Sequence, residues 1–158
     1  MRAVVQRVNK ASVSVKSKVV GEIAEGLFIL VGFKKGDTKK EVDIFAGKLL
    51  KLRVMADPPA MRGRKALRAG KNGKMNLSVI DSKSQILVVS QFTLYANTKD
   101  GNRPSFIDAK EPVKAKELYD YFVNKLKESG LIIETGIFGE YMKIDATLDG
   151  PVTILLET

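Results

Sequence analysis

The chain has 158 residues, the length of one typical domain, and its 44% hydrophobic and 28% charged residues are typical of a folded globular protein. It contains no histidine and no cysteine, which excludes disulfides, zinc sites built from Cys and His, haem ligation by either residue, and a Ser-His-Asp triad within the chain. The 27 Lys and Arg residues against 18 Asp and Glu give a formal net charge of +9, which favours a polyanion as partner.

Residues 1–33 predict a small β-meander. Apolar and polar residues alternate along 3–8, 12–15 and 19–24, which is the period of half-buried strands. Residues 26–33 are apolar throughout, as in a strand covered on both faces, and are too few to span a membrane. Polar residues interrupt the N-terminal apolar run, so no signal peptide is predicted and we expect a cytoplasmic protein without a membrane partner.

Two main helices are predicted. Thr38 and Glu41 have the spacing of a capping box, and the apolar residues that follow at helical spacing predict a helix over 39–52. The second helix is expected to begin at Pro112, where a missing N–H costs nothing, and to end by Gly130.

Residues 57–74 interrupt this regular pattern. The segment opens with two prolines, and from 62 to 74 it holds six Lys or Arg residues and no acidic one, as expected of a surface loop. Charge favours RNA or another polyanion as its partner, and a well-solvated surface that binds nothing is the alternative. The candidate cations for such a partner are Arg62, Arg64, Lys65 and Arg68.

The remaining strand patterns complete the fold prediction. They cover residues 53–56, 75–80, 85–94, 131–138, 141–147 and 152–157, with a turn at Asp149-Gly150-Pro151 between the last two. About eight strands and two main helices, grouped rather than alternating, predict a single α+β domain over 1–158. Its mixed or antiparallel sheet is expected to curl toward a barrel.

Two short segments could carry chemistry. If the strand at 85–94 runs to its end, Gln91 and Thr93 project to the same side and could enter a pocket, although an ordinary strand end is the alternative. If the Gly150-Pro151 bond is cis, consecutive carbonyls point in a similar direction and could hold an ammonium group. The residues alone favour an ordinary turn there.

Taken together, these segments resemble the D-aminoacyl-tRNA deacylase family. The resemblance extends over nearly the whole chain, and SQFTL followed by RPSF and GPVT is its most specific part. The matching pieces, in the family's order, are QRV at 6–8, ASV at 11–13, GKMNLSV at 73–79, SQFTL at 90–94, RPSF at 103–106, LYDYF at 118–122, TGIFG at 135–139 and DGPVT at 149–153. Residues 57–72 depart from the family, being longer and more basic, which favours a lineage-specific loop slightly over an extended tRNA contact.

The resemblance implies hydrolysis of the ester that joins a D-amino acid to the terminal ribose of tRNA, with glycyl-tRNA as a second substrate. It implies a homodimer with active sites at the subunit interface, and we expect no cofactor, no metal and no DNA partner. The residues placed around the scissile carbonyl are Ser90, Gln91, Phe92 and Thr93. Thr93 would be a nucleophile or a water-orienting group, and we favour orientation because no histidine is available as its base.

The same resemblance assigns chiral selection to Gly150 and Pro151. Their peptide bond is expected to be cis and to enter the partner's active site, where an L-amino acid would clash with it. Arg7 would brace this loop, and Phe138 and Met142 would line the pocket, although without the resemblance both of these last two are equally plausible as core residues. A noncatalytic RNA-binding β-domain and a general small-molecule esterase remain the alternatives.

Overall fold

The computed structural model describes residues 1–57, 74–99 and 101–158. Within them the chain forms eight strands, three α-helices and one 3₁₀ turn. In chain order these are β1 (Arg2–Val15), β2 (Lys18–Ile23), β3 (Gly26–Gly32), α1 (Lys39–Leu50), β4 (Met55–Ala56), β5 (Met75–Leu77), α2 (Val79–Ser82), β6 (Gln85–Ser90), the 3₁₀ turn (Phe92–Tyr95), α3 (Pro112–Lys127), β7 (Ile133–Thr135) and β8 (Lys143–Glu157).

The main sheet is built around the long strand β1. Strands β2 and β3 follow one another antiparallel along one edge of β1, and β8 pairs antiparallel along the other edge. The sheet continues from β3 through the parallel strands β6 and β7. Because β2 also contacts β7 at the opposite end, the mixed sheet nearly closes on itself. The predicted α+β class with a curled, barrel-like sheet is confirmed.

Two apolar clusters cover opposite faces of this sheet. On one face α1 and α3 pack over it, and the rings of Phe45 and Phe122 meet edge to face with centroids 6.1 Å apart. The other face holds a smaller cluster that includes Val13 and Phe28. Successive residues of β3 point to opposite faces, so both clusters draw on it, which explains the uninterrupted apolar run in its sequence.

Local capping motifs decide where two of the helices begin. The Thr38–Glu41 capping box is present, and α1 ends at Leu50, two residues before the predicted end. The strand predicted over 75–80 is wrong in its second half, where the chain forms α2. There the Ser78 side chain accepts the Asp81 N–H and the Asp81 carboxylate accepts the Ser78 N–H, so local hydrogen bonds start a helical turn.

In the described ranges, no helix is both long and apolar enough to cross a membrane.

The four cations proposed for tRNA binding lie outside the residues that the structure describes, and their role stays a prediction. They are Arg62, Arg64, Lys65 and Arg68.

Candidate active site

The chain leaves the sheet directly after Ser90. The Gln91 N–H still donates to Val31 O at 2.8 Å, but Phe92–Tyr95 then forms a 3₁₀ turn rather than the strand predicted to residue 94. The turn folds back closely on β3, where a Cβ at Gly32 would lie only 2.7 Å from Gln91 O. A side chain at Gly32 would therefore displace the turn, and strand alternation cannot be the reason that Gln91 and Thr93 are neighbours.

Gln91 and Thr93 nevertheless meet through the geometry of the turn. The Gln91 amide Nε2 donates to Thr93 Oγ1 at 2.5 Å. The Thr93 side chain is exposed, and no carboxylate or amine of the described residues bonds to its hydroxyl. An amide cannot accept the hydroxyl proton, so this arrangement orients Thr93 Oγ1 without activating it as a nucleophile.

Two backbone amides at the start of the turn have no acceptor among the described residues. Leu94 N donates to Gln91 O and Ala96 N to Thr93 O, but the amides of Phe92 and Thr93 come first in the turn and have no preceding carbonyl within reach. Free N–H groups at a helical start favour a negative charge in front of them. Paired N–H donors of this kind are the chemical type that stabilises a developing oxyanion.

A cavity of about 690 Å³ lies against this turn. Five of the sequence-predicted site residues line it: Ser90, Gln91, Phe92, Phe138 and Met142. The remaining walls are mostly apolar or aromatic, and its charged lining residues are Lys110, Glu111 and Glu140. Two of these charges already serve the fold, because Lys110 Nζ donates to Asp37 O and the Glu111 carboxylate caps α3.

The lining suits an organic ligand with a polar reacting end. An apolar cavity with a few convergent hydrogen-bonding groups is the usual form of a small-molecule site. Within the described part of the chain, no group of three or more Asp, Glu, His or Cys side chains is placed so that it could hold a metal ion.

Two residues that sequence reasoning missed support the site from behind. The Tyr119 hydroxyl donates to Val88 O at 2.9 Å, and its ring packs on Phe138 with centroids 5.7 Å apart. Burial raises the pKa of Tyr119 above its usual value, so the hydroxyl keeps its proton and remains a donor. Arg2 donates to Leu94 O and lies over the Tyr95 ring at 5.0 Å, which fixes the 3₁₀ turn from its far end.

The Gly150-Pro151 segment is a bulge inside a continuous strand, so the predicted turn between two strands is wrong. Gln6 pairs with Thr153 and Val8 pairs with Leu148, so more residues of β8 than of β1 lie between these two pairs. The peptide bond between Gly150 and Pro151 is cis, and both residues are exposed.

Arg7 holds this bulge in place from within the protein. Its side chain is buried, Nη1 donates to Val54 O at 2.9 Å, and Nε lies 2.7 Å from Asp149 Oδ2, an ion-pair distance without the alignment of a hydrogen bond. None of Arg7, Gly150 and Pro151 lines the cavity of its own chain. Thr93 itself is not among the cavity's lining residues and is held beside it by Gln91. Within the described part of the chain, the site residues expected from sequence thus form two groups, one at or beside the cavity and one at the bulge of β8.

Comparisons with known proteins agree over the full length of the chain. A sequence model described as D-Tyr-tRNA(Tyr) deacylase matches residues 4–157. A protein named D-aminoacyl-tRNA deacylase from Aquifex aeolicus (strain VF5) is 51% identical, covering 100% of this chain and 98% of its own. Another of that name, from Thermosipho melanesiensis, is 48% identical, with coverage of 100% and 97%.

Solved structures give the same picture of the fold. The structure titled "c-Myc DNA Unwinding Element Binding Protein" superposes with a TM-score of 0.85 at 38% identity, covering 100% of this chain and 99% of its own. A second, titled as a probable eukaryotic D-amino acid tRNA deacylase, has a TM-score of 0.79 over 98% and 97% of the two chains. Its identity is 17%, so that likeness concerns the fold alone.

Proposed function

The chain belongs to the D-Tyr-tRNA(Tyr) deacylase family, and on that premise we propose how its residues hydrolyse the ester of a D-aminoacyl-tRNA. The resemblance found in the sequence is confirmed, and the protein is an ester hydrolase acting on D-aminoacyl-tRNA. The observation that carries the assignment of the site is the apolar cavity that meets the turn after Ser90. We assign the aminoacyl end of the tRNA to this cavity, and we expect the enzyme to act in the cytoplasm.

The ester carbonyl is held at the start of the 3₁₀ turn. Its oxygen faces the free amides of Phe92 and Thr93, which stabilise the negative charge as the carbonyl carbon becomes tetrahedral. A water attacks that carbon, the bond to the ribose oxygen breaks, and the water's proton passes to the leaving oxygen with help from the neighbouring ribose hydroxyl. The products are the free D-amino acid and the tRNA.

Thr93 positions the substrate and the attacking water in this scheme. Replacing Thr93 with alanine is expected to lower kcat by roughly 10- to 100-fold and leave KM nearly unchanged, because only alignment of the reacting groups is lost. Thr93→Ser keeps the hydroxyl and serves as the matched control, with activity close to wild type. Intact-mass measurement of acid-quenched reactions provides the second readout. An acylated Thr93, or loss of all catalysis in the alanine variant, would identify the hydroxyl as a nucleophile and contradict positioning.

Chiral selection is assigned to Gly150 and Pro151 of a second copy of the chain. Both are exposed, their bulge is braced by buried Arg7, and they lie away from the cavity of their own chain. Strand β8, which carries the bulge, also exposes Leu148 and Leu155 on a long strand that pairs only with β1 within the described residues. Such an edge favours burial against another chain, and we therefore propose a homodimer.

In this dimer the main-chain oxygens of the partner's bulge hold the substrate's α-amino group. A D side chain then points away from the bulge, whereas an L side chain is driven into it, so the L form is rejected by steric conflict. Glycine has no side chain to clash, which makes glycyl-tRNA a second substrate.

The test compares D-tyrosyl-tRNA, L-tyrosyl-tRNA and glycyl-tRNA under identical conditions. We expect the D and glycyl esters to be hydrolysed at least about 100-fold faster than the L ester, because a steric clash discriminates more strongly than an added contact. Rapid cleavage of simple esters with no D preference would indicate a general esterase. Salt-sensitive tRNA binding without turnover would indicate a noncatalytic RNA-binding domain.

A further inference from the structure

Exposed aromatic rings are concentrated at one place on this protein. The chain has seven Phe and four Tyr residues and no Trp, and all eleven aromatic residues lie in the described ranges. Only three of them are exposed: Phe92, Phe106 and Tyr141, at 58%, 37% and 85%. All three line the cavity of the active site. Aromatic rings left in water at a ligand site favour a flat, stackable partner.

Tyr141 is the most exposed of the three, and its position is fixed. It follows a turn in which Glu140 N donates to Ile137 O at 3.3 Å and Gly139 has a φ of +82°. Directly after it, Met142 lines the cavity. The backbone on both sides is therefore anchored, and the ring stands at the cavity rim.

The other tyrosines all have partners, whereas Tyr141 has none among the described residues. Tyr119 and Tyr121 donate hydrogen bonds to Val88 O and Asp43 Oδ1, and Tyr95 lies under the Arg2 guanidinium. The Tyr141 ring and hydroxyl make no such contact. Within the described residues its ring and hydroxyl therefore face solvent, although the residue stands on a well-anchored turn.

We propose that Tyr141 stacks on an unpaired base of the tRNA 3′ end, next to the terminal nucleoside that carries the ester. This inference rests on the proposed function. With the ester at the turn after Ser90, the preceding nucleotide of the single strand leaves over the cavity rim. Aromatic rings bind single-stranded nucleic acid by stacking on its bases, and stacking tolerates any base. Recognition of the substrate thus extends past the terminal nucleoside through a side chain that touches no reacting atom.

The test compares two D-tyrosyl esters, one of adenosine alone and one of the trinucleotide CCA. For the wild-type protein we expect a higher kcat/KM with the trinucleotide ester. In Tyr141→Ala the ratio of the two kcat/KM values should fall by roughly 10-fold, the usual effect of losing one stacking ring. Tyr141→Phe keeps the ring and should keep the ratio. Ile44→Ala removes another exposed apolar side chain, on α1 and outside the cavity lining, and should change neither value.

A binding measurement separates this proposal from the proposed function. Calorimetric titration with uncharged CCA should give a Kd roughly 10-fold weaker for Tyr141→Ala than for wild type and Tyr141→Phe. If wild type hydrolyses neither ester but binds CCA in this pattern, the proposed function fails and the stacking surface stands.

Three results would overturn the stacking proposal. An unchanged ratio and Kd in Tyr141→Ala would show that the ring contacts no base. Equal losses with both esters would place the ring in the pocket of the terminal nucleoside. A lower sedimentation mass of the variant would make Tyr141 a contact between two copies of the chain.

Discussion

Replacement of Gly150 with alanine is expected to lower kcat/KM for D-aminoacyl-tRNA by at least about 100-fold, the effect of misplacing a binding group by about 1 Å. Gly150 has a φ of +130°, where an L side chain is strained. An added Cβ would lie 2.7 Å from Val152 N and 2.8 Å from Val152 Cγ2. The first of these atoms is backbone, so the bulge itself must move to relieve the contact.

The measurement is hydrolysis of paired D and L esters by the variant. Gly130→Ala is the matched control, because Gly130 also has a positive φ, of +76°, but an added Cβ there meets no atom within 4 Å. It tests backbone strain without crowding, and its activity should stay near that of wild type. An unaltered D-to-L ratio in Gly150→Ala would contradict the placement of this residue at the chiral filter.

Mixing two impaired variants tests whether the bulge acts in the partner's site, because each variant alone should keep no more than about a tenth of the wild-type activity. A mixed dimer of Thr93→Ala and Gly150→Ala chains has one site in which both residues are wild type, if Gly150 is supplied by the partner. In an equal mixture with random exchange of subunits, about a quarter of all active sites should then be wild type at both positions. No recovery, in a mixture whose sedimentation mass is twice the 17.4 kDa of one chain, would mean that Gly150 acts within its own chain.

Elements whose signals are local in sequence could be predicted well. The two strand segments predicted over 3–8 and 12–15 join in β1, β2 also follows from alternation, and β3 follows from an apolar run. The capping box at Thr38 marks the start of α1. In these segments the alternation of apolar and polar residues, or the capping pair, is complete within a few residues, although the strands themselves pair with distant parts of the chain. The resemblance to a family then supplied the identities of the site residues, which periodicity alone could not.

The parts of the site that were predicted wrongly are determined by contacts between residues far apart in the sequence. The strand pattern continues past Ser90, but close approach to Gly32 sends the chain into a 3₁₀ turn. Arg2 fixes that turn through Leu94 O, and no sequence pattern relates the two positions. The bulge in β8 likewise depends on a contact with β1. Physical reasoning from one sequence identifies the candidate groups, and only the fold shows which of them meet.

Arg7, on β1, forms an ion pair with Asp149 next to the bulge of β8. We therefore expect Arg7→Met to lower the stability of the protein, which is the second large expected effect. Methionine keeps an unbranched apolar stem in place of the arginine stem but has no guanidinium, so it leaves Val54 O without its donor and Asp149 without its ion pair. Breaking a buried pair typically costs about 3–5 kcal/mol, and because Asp149 is about one-third exposed we expect about 2–3 kcal/mol here. Urea unfolding of the wild type and the variant measures the difference directly.

Two further variants separate the bracing role of Arg7 from a general effect of charge. Lys116→Met breaks an exposed ion pair with Asp120 on α3 and should cost less than about 0.5 kcal/mol. Arg7→Lys keeps the positive charge but cannot reach Val54 O and Asp149 together, so it should restore only part of the stability. Because the bulge is braced only through Arg7 in this scheme, discrimination between D and L esters should weaken in the same order as stability. A destabilised Arg7→Met protein that still rejects L esters as wild type does would show that the bulge keeps its shape without this arginine.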